Sequence, residues 1–160
     1  MDIFGKILEI VKERCTHGEA VVDEVMTPKG VKIHPGDLKS VCVQLHQHPD
    51  VFFDMLSCIT AIDNGVEAGV LDVVYNLYSI PFDRHFALKV SVPRDMAELD
   101  SVEAIWKTAN WHEREAYDMF GVKFRGHPDL RRILLPADWD GHPLRKDYKQ
   151  QEYYRGVKVD

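Results

Sequence analysis

Between Trp111 and Tyr148 the chain reads WHEREAYDMFGVKFRGHPDLRRILLPADWDGHPLRKDY, a run dense in ionisable and aromatic side chains. His112, Glu113 and Glu115 are residue types that hold metal ions or move protons. A zinc helix of the metalloprotease kind needs a second His four positions after the first, and position 116 is Ala. A di-iron helix needs Glu with His three residues later, in two copies; here His precedes Glu, once. His46-x-His48 has the spacing of strand-borne ligands but closes a helical pattern before Pro49, where an exposed pair fits better. The cysteines at 15, 42 and 58 are too scattered for a zinc ribbon or a cluster-binding run. No Gly-x-Gly-x-x-Gly, P-loop or Gly-x-Ser-x-Gly pattern occurs. The expected chemistry is recognition, with no catalytic, cofactor-binding or metal-ligating residue.

That recognition starts on a helix. Asn110 is placed to cap it, Glu113 is the far half of a capping box, and Arg114 stands one turn before Asp118 for an i, i+4 pair. Gly121 after Phe120 is a stop signal. Ala109, Glu113, Ala116, Tyr117 and Phe120 share one face, so the Glu113 carboxylate lies in an apolar stripe and needs a hydrogen bond or a cation there. Arg131 or Arg132 is the predicted partner. Past Gly121 neither a 3.6 nor a 2 period survives.

Residues 123–160 therefore read as an extended arm. Glu113, Arg114, Glu115 and Asp118 hold its root, while Gly121, Gly126, Pro128 and Pro143 set its path. Arg125, His127, Arg131, Arg132, Trp139, Arg145, Lys146 and Tyr148 are the residues it lays on a partner. Few aliphatic residues follow Leu144, so a partner's surface rather than a globule of its own is expected to order it. Arg and Lys interleaved with Tyr148, Tyr153 and Tyr154 also suit single-stranded RNA, but the acidic body argues against nucleic acid.

Residues 1–122 hold 11 Lys and Arg against 20 Asp and Glu, a balance of −9; residues 123–160 hold 9 against 6, a balance of +3. A basic tail on an acidic body predicts contact with an acidic surface, the partner's or its own. The 160 residues suit one domain, 1–122, with its arm. No apolar run nears the ~18 residues of a membrane span. Met1-Asp2-Ile3-Phe4 lacks the basic start of a signal peptide, which favours the cytoplasm.

The elements that position the arm can be read from periodicity. Asp2 caps a first helix carrying Ile3, Phe4, Ile7, Leu8 and Val11, with Gly18 as its end. Residues 20–25 and 31–34 read as strands joined through Thr27-Pro28-Lys29-Gly30. Pro35 opens a second helix on Leu38, Val41, Cys42 and Leu45, stopped by Pro49. Strand 58–63 runs into Asn64-Gly65, a hairpin signal. Leu71, Val73, Tyr75 and Leu77, then Phe86, Leu88, Val90 and Val92, alternate with polar residues as two more strands. Cys42 and Cys58 read as small core residues. Asp100 and Glu103 open a further helix on Val102, Ile105, Trp106 and Ala109. The order gives an α+β two-layer domain with a mostly antiparallel sheet.

The run Glu113-Arg114-Glu115-x-x-Asp118-Met119-Phe120-Gly121-Val122-x-Phe124-x-Gly126-His127-Pro128-x-Leu130-Arg131-Arg132-Ile133-Leu134 closely resembles the signature of the C-subunit family of proton-pumping NADH:quinone oxidoreductase, respiratory complex I. Asp138-Trp139-x-Gly141-x-Pro143-Leu144-Arg145-Lys146-Asp147-Tyr148 continues it, so the likeness covers the last third of the chain. Leu135-Pro136 departs where the signature often ends in Thr or Met. The resemblance implies a mixed five-stranded sheet packed against helices. It also implies a non-catalytic peripheral-arm subunit on the cytoplasmic side of the inner membrane, with FMN and iron–sulfur clusters in partner subunits rather than in this chain. In that family the C-terminal segment runs over the neighbouring D-subunit, which helps form the quinone pocket, and lies near the cluster-bearing subunits. Related subunits serve membrane-bound [NiFe] hydrogenases and photosynthetic complex I-like enzymes, the alternative assignments.

Overall fold

In the computed structural model, which describes residues 2–159, the alternating segments become the long strands of one sheet. Its strands are β1 (Val21–Asp23), β2 (Gly30–Ile33), β3 (Met55–Asp63), β4 (Val70–Ser79) and β5 (Arg84–Pro93), in the order β1-β2-β5-β4-β3. β2 and β5 run parallel; the other neighbours are antiparallel. Leu71, Val73, Tyr75 and Leu77 on β4 and Phe86, Leu88, Val90 and Val92 on β5 are all buried, as a period of two requires of one covered face. Ile7, Ile10 and Val11 of α1 (Ile3–Lys12) and Leu38, Val41, Cys42 and Leu45 of α2 (Leu38–Gln47) belong to the same core. A third helix, α3 (Ala109–Phe120), packs against β3. This is the α+β two-layer fold with a mixed five-stranded sheet.

Gly30 makes the parallel β2–β5 pairing possible. A Cβ there would stand 2.7 Å from the Ala87 carbonyl oxygen and 3.0 Å from the Met26 Sδ. Backbone cannot yield as a side chain tip does, so Gly30→Ala is expected to cost about 1–3 kcal/mol, read by urea denaturation.

Several local expectations yield to long-range bonds. α1 ends at Lys12 rather than at Gly18, because the N–H groups of Thr16 and His17 turn away to the carboxylate of Asp37. Asp2 holds the N-cap position without a side-chain capping bond. Asn64-Gly65 does begin the β3–β4 connection, but that loop runs through Gly69, with Gly65 at φ +95° and its N–H on Asp63. A bulge between Leu56 and Cys58 leaves the Cys58 thiol half-exposed, accepting from Asn76 Nδ2, so Cys58 is not core.

The helix expected at 100–109 is absent. Instead β6 (Glu98–Asp100) pairs in parallel with β7 (Lys123–Arg125), followed by turns up to Thr108. Burial of Val102 and Trp106, with Trp106 Nε1 donating to the Phe53 carbonyl at 3.0 Å, fixes that segment without a helical ladder. Since β7 buries Phe124 in the core, the body continues past the boundary expected at residue 122. Beyond it, residues 126–152 form turns without helix or strand, as the lost periodicity predicts. A small hairpin of β8 (Tyr153–Tyr154) and β9 (Val157–Lys158) follows.

Candidate functional site

The last carbonyls of an α-helix have no partner within the helix. In α3 the arm supplies them. Gly121, left-handed at φ +77°, gives its N–H to the Tyr117 carbonyl and turns the chain out. The Asp118 carbonyl accepts from Arg132 Nη1 at 3.1 Å and from His142 Nδ1 at 3.0 Å. The Met119 carbonyl accepts from the Leu144 N–H at 3.1 Å, and that of Phe120 from Arg145 Nε at 2.6 Å. Two guanidinium groups thus stand at the negative end of the helix dipole, where cations are favoured. A Cβ on Gly121 would come within 2.7 Å of the His142 ring, so this corner needs glycine for space as well as for φ.

The Asp118 side chain organises the arm's root. It is fully buried, pairs with Arg132 Nη1 at 2.7 Å, and accepts the consecutive N–H groups of Ile133, Leu134 and Leu135 at 3.0, 2.7 and 2.9 Å. Burial pushes its pKa up; Arg132 and the three N–H groups outweigh that and hold the carboxyl below its ordinary value. Arg132 Nη2 also donates to the carbonyls of Trp139 and Gly141. Arg114 therefore does not pair with Asp118 as the i, i+4 spacing suggests; it donates to the carbonyls of Arg131 and Arg132.

Glu113 is buried, as its place in the apolar stripe requires, but its partners differ from those expected. α3 begins at Ala109, so Asn110 lies inside the helix and no capping box forms. The carboxylate accepts from Ser101 Oγ at 2.6 Å and the Val102 N–H at 2.8 Å, not from Arg131 or Arg132. Burial raises it to about 7, against those two bonds. His127 accepts the Asp129 N–H at Nδ1, which leaves its proton on Nε2 for the Asn110 carbonyl at 3.0 Å. At 3.9 Å it is no hydrogen-bond donor to Glu113.

The far end of this stretch is fastened to the sheet. Asp63 accepts Arg94 Nε and Nη2 at 2.9 and 2.8 Å and the Lys146 N–H at 2.8 Å, while Arg94 also grips Asp147. The Arg94 guanidinium holds Asp63 well below the usual carboxylate range despite burial. Arg94 and Asp63 carry no local signal. Ser101 and His142 likewise escape sequence reasoning, because their roles depend on partners 12 or more residues away.

Of the residues expected to face a partner, the structure gathers His127, Arg132 and Arg145 into bonds with α3, and joins Trp139 Nε1 to the Tyr148 hydroxyl at 3.1 Å. Arg125, Arg131 and Lys146 are exposed; Arg125 reaches Asp100 and Arg131 reaches Asp129. Gly126, at φ +79°, and Pro128 stand at exposed turns, and Pro143 starts another. Glu115 is exposed beside a groove of about 780 Å³ between α3 and the arm, lined by Lys107, Trp111, His112, Ile133 and Leu134 among others. Trp111 is 70% and Leu134 63% exposed.

Residues 31–154 match the family described as respiratory-chain NADH dehydrogenase, 30 kDa subunit. The C-subunit of NADH-quinone oxidoreductase from Chlorobium phaeobacteroides is 51% identical over 120 residues, covering 74% of this chain and 72% of the relative. The C-subunit from Geobacter metallireducens is 40% identical over 154 residues, covering 92% and 94%. Among solved structures, the trypsin-resistant fragment of Nqo5 superposes with a TM-score of 0.63 at 26% identity, over 79% of this chain and 98% of the fragment.

Proposed function

The chain belongs to the 30 kDa subunit family of the respiratory-chain NADH dehydrogenases, and from that membership we propose that it serves as the C-subunit of a proton-translocating NADH:quinone oxidoreductase. It carries no active site of its own. Its arm and α3 dock on the D-subunit, which helps form the quinone pocket, and hold that neighbour in register with the cluster-bearing subunits. FMN and the iron–sulfur clusters reside in those partners, and electrons pass from NADH to quinone through them. The complex places this chain on the cytoplasmic face of the inner membrane. No helix of the described residues is long and apolar enough to cross a membrane, which suits a peripheral position.

The observation that carries the docking is the groove where α3 meets the arm's root. Trp111 and Leu134 present large apolar side chains across it to solvent. Exposed clusters of this kind, with an aromatic anchor and a polar rim, mark protein contacts. Lys107, His112 and Glu115 supply that rim. The internal clasps fix the groove's walls, so the partner meets a preformed surface.

Capture of the affinity-tagged full chain from native membranes tests this. The wild-type chain is expected to bring down the D-subunit and the cluster-bearing subunits. Trp111→Glu, at an exposed position, is expected to keep the fold and lose at least tenfold in recovery, since an anchor residue contributes about 2 kcal/mol or more. Recovery unchanged by Trp111→Glu would remove the groove from the interface.

A further inference from the structure

Away from the arm, three side chains of metal-binding type converge where the α1–β1 linker crosses the entrance to α2. His17 lies on the linker, His34 follows β2, and Asp37 ends the short 3-10 turn that leads into α2. Each brings one donor atom to within 4.8 Å of the other two, and among the described residues no other such group of three occurs. The His17 and His34 rings stack with centroids 5.6 Å apart and planes 14° from parallel. The geometry points to a binding site for one divalent transition-metal ion of the Zn2+ type, held by His17, His34 and Asp37 with solvent completing the shell.

The donor set fits that ion. Two imidazoles, which are borderline donors, with one carboxylate oxygen make a set of the kind zinc takes, and an exposed site leaves room for a water in the fourth position. Bonds of about 2.0–2.2 Å in a tetrahedral shell put neighbouring donors about 3.3 Å apart. His17 Nδ1 and Asp37 Oδ1, at 2.7 Å, would part slightly, and since no pair exceeds 4.8 Å the remaining donors have at most about 1.5 Å to close. The two exposed imidazoles can do this by rotating, because the adjoining backbone is glycine. A Cβ on Gly36 would stand 3.2 Å from both the His17 Cγ and the His34 Nδ1, and one on Gly18 would stand 3.2 Å from the His34 Cβ.

Asp37 is the fixed member. It is buried, and its Oδ1 accepts the Thr16 N–H, the Thr16 hydroxyl and His17 Nδ1, at 3.0, 3.0 and 2.7 Å. Its Oδ2 accepts only the shared His17 N–H at 3.1 Å, which leaves that oxygen the freer one for a cation. His34 gives up the bond its Nδ1 accepts from the Gly36 N–H by either route, since ligation through Nε2 first moves the ring proton to Nδ1. His17 in turn releases the Nδ1 proton it donates to Asp37, or moves it and ligates through Nε2. Gly36 lies in an exposed turn, so water can replace that acceptor. An ion here would staple the linker after α1 to the start of α2, two segments that protein bonds already bring together.

The full chain, stripped with chelator and titrated with Zn2+ against a chromophoric zinc indicator, tests the site. The expected result is one ion per chain at micromolar affinity or tighter, with the unfolding midpoint raised by about 5 °C at a hundredfold excess over Kd. His34→Ala and His17→Ala are each expected to weaken binding at least tenfold, and His34→Ala to leave the metal-free midpoint near the wild-type value. Should His17→Ala fail to fold, because Asp37 loses a partner, His34→Ala alone decides. Absence of stoichiometric binding, or binding that His34→Ala leaves intact, overturns the assignment.

Discussion

Asp118→Ala is expected to destabilise the folded chain by about 3–5 kcal/mol, the usual cost of removing one member of a buried, hydrogen-bonded ion pair. The loss extends beyond the pair itself. Arg132 keeps its bonds to three carbonyls but is left as a cation without its counter-charge, with only 12% of its side chain exposed. The N–H groups of Ile133, Leu134 and Leu135 lose their common acceptor. Urea denaturation measures the cost. Arg132→Ala should resemble Asp118→Ala, and the double variant should cost less than the two singles added, because they share one interaction. Additive single effects would show that the two residues act separately.

Glu113 carries the second large effect, and it is a pH effect. Its folded value of about 7 exceeds the ordinary 4.5, so between those values the folded chain holds a proton that the unfolded chain has released. Stability from that proton is complete below about pH 4.5 and is lost as pH rises through about 7, amounting to about 3 kcal/mol across the range. Glu113→Gln has no proton to lose. Denaturation of both chains at pH 5 and pH 8 should show the wild type losing about 2–3 kcal/mol more than the variant, most of that total. Equal losses would mean that the Ser101 and Val102 bonds compensate burial fully.

The sheet was legible because alternation over Leu71 to Leu77 and Phe86 to Val92 repeats often enough to fix which face is covered. Gly121 was legible as well, since a left-handed helix end has a chemical preference visible in one residue. The stripe containing Glu113 correctly announced a buried carboxylate. Its partners could not be read, because Ser101 and Val102 lie on a segment whose apolar spacing imitates a helix. Val102, Ile105, Trp106 and Ala109 fit a helical face, yet Val102, Trp106 and Ala109 are buried in the core just past a strand, among turns and at a helix start. Spacing alone does not separate these cases.

Arg114 and Asp118 show the same limit at the level of energy. An exposed i, i+4 pair is worth a few tenths of a kcal/mol, so a buried pairing with Arg132, fourteen residues on, overrides it. The arm's want of period was informative in the same way: its amides find partners on α3 and at Asp63 rather than in a helix or sheet of its own. The His17, His34 and Asp37 group left no trace in local sequence, since the fold alone brings its members together.

That the arm completes the end of α3, and so fixes the groove beside it, is tested most directly by residue-resolved amide exchange on the purified full chain. Slowed exchange is predicted together at Ile133, Leu134, Leu135, Leu144 and Lys146, the amides bonded to Asp118, Met119 and Asp63. Exchange at those five positions as fast as in an unstructured peptide, while β4 and β5 stay protected, would contradict it.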